Sequence, residues 1–310
     1  MNTVPIVFAF DNAWIKPACV CISSLMMSAH TTTFYDIFII HSQSEQFNQD
    51  ALDCIPKIYQ NCRIQYIEIG DTFENSFEIR GITTSTYYRL LIPVLIPQYD
   101  KVIYSDVDVI FRNDLWNIYN STDMKNTYVA GVNTLSYLIS DLKEYYENEL
   151  GIDSHAIIYA GNIILNSKYL RENNIVQEFI NKSKEKYRFQ DMDILNITCS
   201  GKITYLPPSF CVTTYFSDFL VNHKDELQKI WTEEDLLEAE KTGTIHYNGQ
   251  KPWKGYCINF DIWWEYYRKS PYFDPKYYFD FFNKKLNDYD NLTLWKRIKI
   301  LGRYFIHRPQ

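Results

Sequence analysis

The first seventy residues alternate between two periods. VPIVFAF (Val4 to Phe10), TFYDIFII (Thr33 to Ile40) and CRIQYIEIG (Cys62 to Gly70) are short, apolar and rich in β-branched and aromatic residues, as buried strands are. Helix-like stretches separate them, Ile15 to Ala29 and a second reaching about Tyr59. A chain that repeats strand, helix, strand has few options, because parallel neighbours need a crossover and the crossover helices must cover the sheet. The pattern predicts an α/β fold with a Rossmann-like, mostly parallel central sheet and flanking helices. Ligands of such sheets bind beyond the carboxyl ends of the strands, so the residues that follow each strand carry the functional signal.

After the first strand come Asp11 and Asn12, and around the fourth, KVIYSDVDVIFRNDL (Lys101 to Leu115), come Asp106 and Asp108. Two acids two apart on an extended backbone point the same way. Their charges repel unless a proton or a cation intervenes. Hard carboxylate oxygens suit Mg²⁺ or Mn²⁺, which commonly bridges protein acids to a phosphorylated substrate. The plainer reading of a bare D-x-D is a solvated surface turn; the apolar KVIY before the pair and VIF after it place these acids at a sheet end instead. Phosphatases of the haloacid dehalogenase type also use D-x-D, but after the first strand and with Thr or Val two beyond the second acid. Here Ile110 holds that place, and the phosphatase stays a minor alternative.

Further along, TSTYYRLLIPVLI (Thr84 to Ile96) reads as a helix that Pro93 and Pro97 kink or end. HAIIYAGNIILN (His155 to Asn166) reads as a buried strand in which Gly161 marks a close approach of backbone or ligand, and QDMDILN (Gln190 to Asn196) opens a helix.

Six motifs in this order, VFAFDNAW, TSTYYRLLIP, KVIYSDVDVIFRNDL, YAGNIILN, FQDMDILN and IHYNGQKPW, resemble those of family 8 glycosyltransferases, the retaining GT-A enzymes that include bacterial lipopolysaccharide galactosyl- and glucosyltransferases and glycogenin. The resemblance implies a hexosyltransferase that uses a UDP-sugar donor with Mn²⁺ or Mg²⁺ and a lipopolysaccharide, capsule or other surface-glycan acceptor. It places Ala9, Asp11 and Asn12 against the uracil and ribose. Asp106, Asp108 and His246 are implied as metal ligands, with Val107 between the acids also at the nucleotide sugar. Gly249 and Lys251 meet the diphosphate. Arg89 and Asp191 grip the donor sugar, Gln190 helps to position it, and Ala160 and Gly161 line its site. Taken alone, His246 reads as a structural histidine, Lys251 and Arg89 as surface charges, and Asp191 as a helix N-cap. A sugar-nucleotide-binding protein without transferase activity would carry the same first loop and D-x-D.

Three positions depart from the family. Tyr159 stands where members often have Asn, Met192 where some carry a Gln near the anomeric carbon, and Gly81 where some have a histidine. A thioether at 192 is no ready nucleophile, which favours front-face substitution over a covalent glycosyl-enzyme.

Composition sets the remaining bounds. A chain of 310 residues, 46% hydrophobic, fills one large domain or two modest ones. Net charge is −7, against a nucleic-acid partner, yet Lys296, Arg297, Lys299, Arg303 and Arg308 follow Asn291 with no acid among them. Leu294, Ile298, Leu301 and Phe305 share one side of a helix there, with Lys296, Lys299 and Arg303 opposite, as in helices that lie on anionic membranes. The division expected is a catalytic domain over 1–255 and a helical, aromatic and basic region over 256–310. The aromatic residues between Trp253 and Phe282 could form an interface belt or an acceptor platform, but a helical core is the commoner fate of such a stripe. Seven cysteines without CxxC spacing fit a reducing cytosol, and neither a leader nor an apolar run of about 18 residues is seen. The location expected is therefore cytoplasmic, peripheral to the inner face of the membrane.

Overall fold

A computed structural model describes residues 2–43, 46–73, 76, 84–290 and 292–306. Gly81 and Arg308 lie outside the described residues. Seven strands form the main sheet, in the order β3-β2-β1-β4-β7-β6-β8. They are β1 (Asn2–Ala9), β2 (Thr33–Ser42), β3 (Cys62–Ile69), β4 (Val102–Ser105), β6 (Val129–Asn133), β7 (Ile158–Leu165) and β8 (Ile203–Tyr205). The pairs β1–β2, β1–β4, β2–β3 and β6–β8 are parallel, while β7 runs antiparallel to both β4 and β6. A second sheet of three short strands joins β5 (Val109–Ile110), β9 (Val212–Thr213) and β10 (Ile245–His246).

The apolar runs are nearly continuous because both faces of the main sheet are covered. In β1, Ile6 and Phe8 point into one core with Ala18, Cys21, Ile22 and Leu25 of the helix Ile15–Ser28, while Val7 points into the other with Leu90, Ile92 and Leu195. Alternation along each strand thus feeds two cores at once.

Local expectations are corrected in two places. Residues Thr84–Leu91 form a 3-10 helix, and the α-helix is confined to Ile92–Leu95, with Pro93 in its first turn. Pro93 therefore starts that helix instead of kinking it, because its missing N–H falls where no intrahelical partner exists. Among the described residues, the segment before β3 holds only the short helical turns Leu52–Cys54 and Ile55–Ile58, where a full helix was expected.

The aromatic stretch near the C-terminus divides. Trp263, Trp264 and Tyr267 of the helix Phe260–Lys269 are buried against Ile110, Ile245 and Tyr247 of the small-sheet region, as a core. Phe279 of the next helix, Pro275–Asp290, stays exposed. The helix Leu294–Ile306 presents Leu294, Trp295, Ile298 and Leu301 to solvent. No helix among the described residues is long and apolar enough to cross a membrane.

Candidate active site

β4 ends at Ser105, and the backbone then leaves the sheet: Asp106 N–H donates to the Gly161 carbonyl at 2.7 Å, and β5 starts at Val109. Asp106 and Asp108 stand on this short crossing from the large sheet to the small one, with Val107 buried between them. β10 pairs antiparallel with β5, His246 opposite Val109, and so brings the imidazole to the acids. One ligand atom from each of Asp106, Asp108 and His246 lies within 4.8 Å of the others. His246 Nε2 is 3.5 Å from Asp106 Oδ2 and 3.3 Å from Asp108 Oδ1. Two carboxylates and an imidazole converging in this way fit a hard divalent cation.

Gly161 makes the convergence possible. A Cβ built there would stand 2.2 Å from His246 Cε1 and 2.7 Å from Asp106 Oδ2. The close approach read from the sequence is an approach to these two side chains.

Charge around the acids is balanced by named partners. Burial works against a charged Asp108, yet His246 and Lys251 hold its carboxyl well below the usual range. Lys251 Nζ donates to Asp108 Oδ2 at 2.5 Å and to the Tyr247 carbonyl at 2.6 Å. Burial also disfavours an imidazolium, but Asp108 outweighs it and pushes His246 up to about 10. Asp106 Oδ1 accepts from Tyr104 Oη at 2.7 Å and from Arg89 Nη2 at 2.9 Å.

Arg89 is no surface charge. The guanidinium is buried, donates to the Ala160 carbonyl at 2.7 Å and to the Thr86 carbonyl at 2.9 Å, and lies 3.0 Å from Asp191 Oδ2. Asp191 is the first residue of the helix Asp191–Thr198, one position inside its N-cap, and its other oxygen accepts from Thr86 Oγ1 at 2.6 Å. The N-cap is Gln190, held at φ 47° and ψ −115°, a sparsely populated backbone state for a residue with a side chain.

The remaining expected residues are placed as follows. Ala9 ends β1; Asp11 caps the turn Asn12–Trp14 through Ala13 N–H at 2.9 Å. Asn12 donates to the Gln46 carbonyl and accepts from Asn48 N–H, which fixes the neighbouring segment. Gly249 is exposed just past β10. Trp14 meets the 247–253 loop from the first motif: Lys251 Nζ is 5.8 Å from its ring centroid, and Trp253 packs edge-on against it. Asn162 is spent on structure, accepting from Ser105 Oγ and donating to the Phe210 carbonyl. Met192 packs towards Tyr145, Tyr146 and Phe189.

Sequence reasoning passed over Thr86, Tyr104, Cys211 and Asp193. Cys211 Sγ lies 3.8 Å from His246 Nδ1. Asp193 is fully buried; its Oδ2 accepts from Phe189 N–H at 2.8 Å and Tyr145 Oη at 2.6 Å, which ties down the residue before Gln190. Thr86 and Asp193 sit inside motifs that were quoted for other residues. A Tyr in a buried strand and a Cys before one give no signal of their own.

The description of Glycosyl transferase family 8 matches residues 5–257. The chain belongs to that family. A protein of Haemophilus influenzae described as a glycosyltransferase is 26% identical over 224 residues, 71% of this chain and 66% of its own length. Glycosyltransferase 8 domain-containing protein 1 of Homo sapiens is 23% identical over 300 residues, 86% of this chain and 78% of that one. Among solved structures, the bifunctional glycosyltransferase WbbM superposes with TM-score 0.74 at 25% identity, over 89% of this chain and 51% of WbbM. The galactosyltransferase LgtC, solved with donor and acceptor sugar analogs, gives 0.71 at 22% identity, over 88% and 99%. The family 8 chain has the GT-A fold of these neighbours, and it spans about half of WbbM and 66% of the Haemophilus protein.

Two predictions follow from this geometry. Gly161→Ala forces His246 away from Asp106, and Mn²⁺ binding followed by electron paramagnetic resonance should weaken at least tenfold with the far-UV circular dichroism unchanged; undiminished binding would show that the triad is not the metal site. The second concerns Asp193, whose carboxyl burial raises from 3.8 to about 6. The folded chain then keeps a proton that the unfolded chain has released, so this group costs stability as pH rises through that window, by about 3 kcal/mol at its top. Asp193→Asn should flatten the pH dependence of urea unfolding between those values; equal slopes in both proteins would contradict the assignment.

Proposed function

We propose that this family 8 chain is a retaining hexosyltransferase that moves glucose or galactose from a UDP-sugar to a lipopolysaccharide, capsule or other surface-glycan acceptor. The observation that carries the reading is the convergence of Asp106, Asp108 and His246 beside Lys251, at the carboxyl end of β4. A UDP-sugar brings a diphosphate, and here two acids and an imidazole can take a divalent cation while Lys251, bonded to Asp108, is within reach of anionic oxygen beside it.

In this reading Asp106, Asp108 and His246 hold Mn²⁺ or Mg²⁺, which supplies Lewis-acid stabilisation of the departing diphosphate. Lys251 shifts from Asp108 to the diphosphate, and Gly249, with no side chain, lets that group approach the backbone. Ala9, Asp11 and Asn12 bind the nucleoside. Arg89 and Asp191 hold the hexose, with Gln190, Ala160 and Gly161 around it. The bond from the anomeric carbon to the phosphate oxygen breaks, and a bond to the acceptor oxygen forms on the same face. The acceptor proton passes to the leaving phosphate oxygen. Asp191 orients and does not attack: both its oxygens are already engaged, by Thr86 and Arg89. Met192 at the next position brings no nucleophile.

Residues 1–255 form the catalytic unit in this proposal, and 256–310 a helical, aromatic and basic region whose last helix sits on the anionic inner face of the cell membrane. Support comes from the helix Leu294–Ile306, which exposes Trp295 to 80% and Leu294 to 73% next to Lys296 and Lys299. Apolar side chains left in water beside bases match an interfacial helix.

Turnover tests the first part. UDP release from UDP-glucose or UDP-galactose with Mn²⁺ should fall at least about 100-fold in Asp106→Asn and Asp108→Asn, and mass spectrometry should find no glycosyl adduct on Asp191. Donor binding without UDP release for any donor, across a pool of glycan acceptors, would instead identify a sugar-nucleotide-binding protein. For the second part, co-sedimentation with phosphatidylglycerol vesicles should be lost on deleting residues 291–310; unchanged sedimentation would refute membrane docking by this helix.

A further inference from the structure

β6 and β8 are parallel neighbours and end at the same edge of the sheet as β1 and β4. Beyond their carboxyl ends lies a cleft of about 800 Å³ that the triad does not use. Tyr137, His155, Tyr205, Trp231, Glu226 and Lys229 line it, and Asn133 at the end of β6 marks its inner limit. A volume in the range of roughly 300–1,000 Å³ encloses most of a small ligand. We propose that this cleft binds the carbohydrate chain of the acceptor, at sugars beyond the one that reacts. The proposal rests on the transferase reading above and assigns that enzyme a second contact with its acceptor.

Three observations carry it. The walls offer flat aromatic faces: Tyr137 and His155 stack at 4.0 Å between ring centroids with 16° between planes, and Tyr205 is 51% exposed although its hydroxyl is bonded to the Ala156 carbonyl. A pyranose presents an apolar C–H face and a rim of hydroxyls, so aromatic faces take the first and polar side chains the second. Of the charged groups in the lining, Lys229 is paired with Glu226 at 2.7 Å, and Asp235 accepts from Thr232, so no cation is left over and a neutral polar chain fits better than a phosphate or an anionic headgroup. The position also fits. Asn133 is paired with Ile158 of β7, three residues before Gly161, so at about 3.3 Å per residue the cleft begins roughly 10 Å along the strand from Gly161, on the side of β7 away from β4. That distance is more than one sugar ring spans and is reached by the next units of a chain.

The test is binding of the full chain to an array of hexose oligosaccharides, from disaccharides to hexasaccharides, with no donor present. At least one class should bind. Tyr205→Ala should weaken it at least tenfold, and Tyr205→Trp, which restores a stacking face, should recover it, with the thermal midpoint of all three proteins alike. Tyr137→Ala should also weaken binding, while UDP release without acceptor is unchanged in both variants. Binding to no oligosaccharide, or equal binding by Tyr205→Ala and Tyr137→Ala, overturns the proposal. Asp108→Asn separates the two readings, since it should lose UDP release and keep oligosaccharide binding. If the unaltered chain releases no UDP but binds oligosaccharide through Tyr205, the transferase reading fails, and the cleft remains a carbohydrate site with no reaction beside it.

Discussion

The arrangement hangs on one buried guanidinium. Arg89 joins three segments that are remote in sequence, the Asp106 crossing, the Ala160 carbonyl of β7 and the Asp191 helix start, and Tyr104 lies under its plane at 4.3 Å. Burying such a charge costs several kcal/mol unless its donors are spent on acceptors, and here each acceptor is part of the site. The planar fork suits this task better than a lysine would, because its donors point in fixed directions. The 3-10 form of Thr84–Leu91 follows from the same demand. It lets Arg89 reach back to the Thr86 carbonyl while Thr86 Oγ1 bonds Asp191.

A second balance operates one shell further along the crossing. Asp106, Asp108 and Asp191 face Arg89, Lys251 and His246, whose charged form Asp108 favours against the cost of burial. The chain can therefore fold with its acids together, and a divalent ion taken up by Asp106, Asp108 and His246 must compete with the imidazole proton and with Lys251. In the proposed transferase, metal uptake and the release of Lys251 towards a diphosphate would be coupled through the single carboxylate of Asp108.

Much of this was legible in the sequence, for definite reasons. The strands read as apolar runs because both faces of the sheet are buried, and Gly161 stood out because glycine inside such a run signals crowding. Periodicity carries no direction, so the antiparallel insertion of β7 between β4 and β6 did not show, although it is what sets Ala160 and Gly161 against Arg89 and Asp106. Arg89 and His246 were legible only through the ordered motifs around them. Tyr104, Cys211 and Asp193 were not, since a tyrosine, a cysteine and an acid in apolar surroundings each have commoner fates. Pro93 misled because proline ends a helix or begins one with equal sequence context.

The family departure at Tyr159 acquires a reason from the two sheets. Its ring lies on β7, two residues before Gly161, and its hydroxyl accepts from Thr213 Oγ1 at 3.1 Å and meets the Thr134 carbonyl at 3.4 Å. Thr213 belongs to β9 of the small sheet, which also carries His246 on β10, and Thr134 directly follows β6 of the large sheet. A short amide at 159 could not span that gap. The phenol thus ties the wall of the triad to the end of β6 where the aromatic cleft begins. This strut gives a fixed relation between the triad and the neighbouring surface. Such a strut is coherent with the proposed acceptor chain held at several sugars, because a rigid spacing between two contacts contributes to affinity only when one ligand makes both.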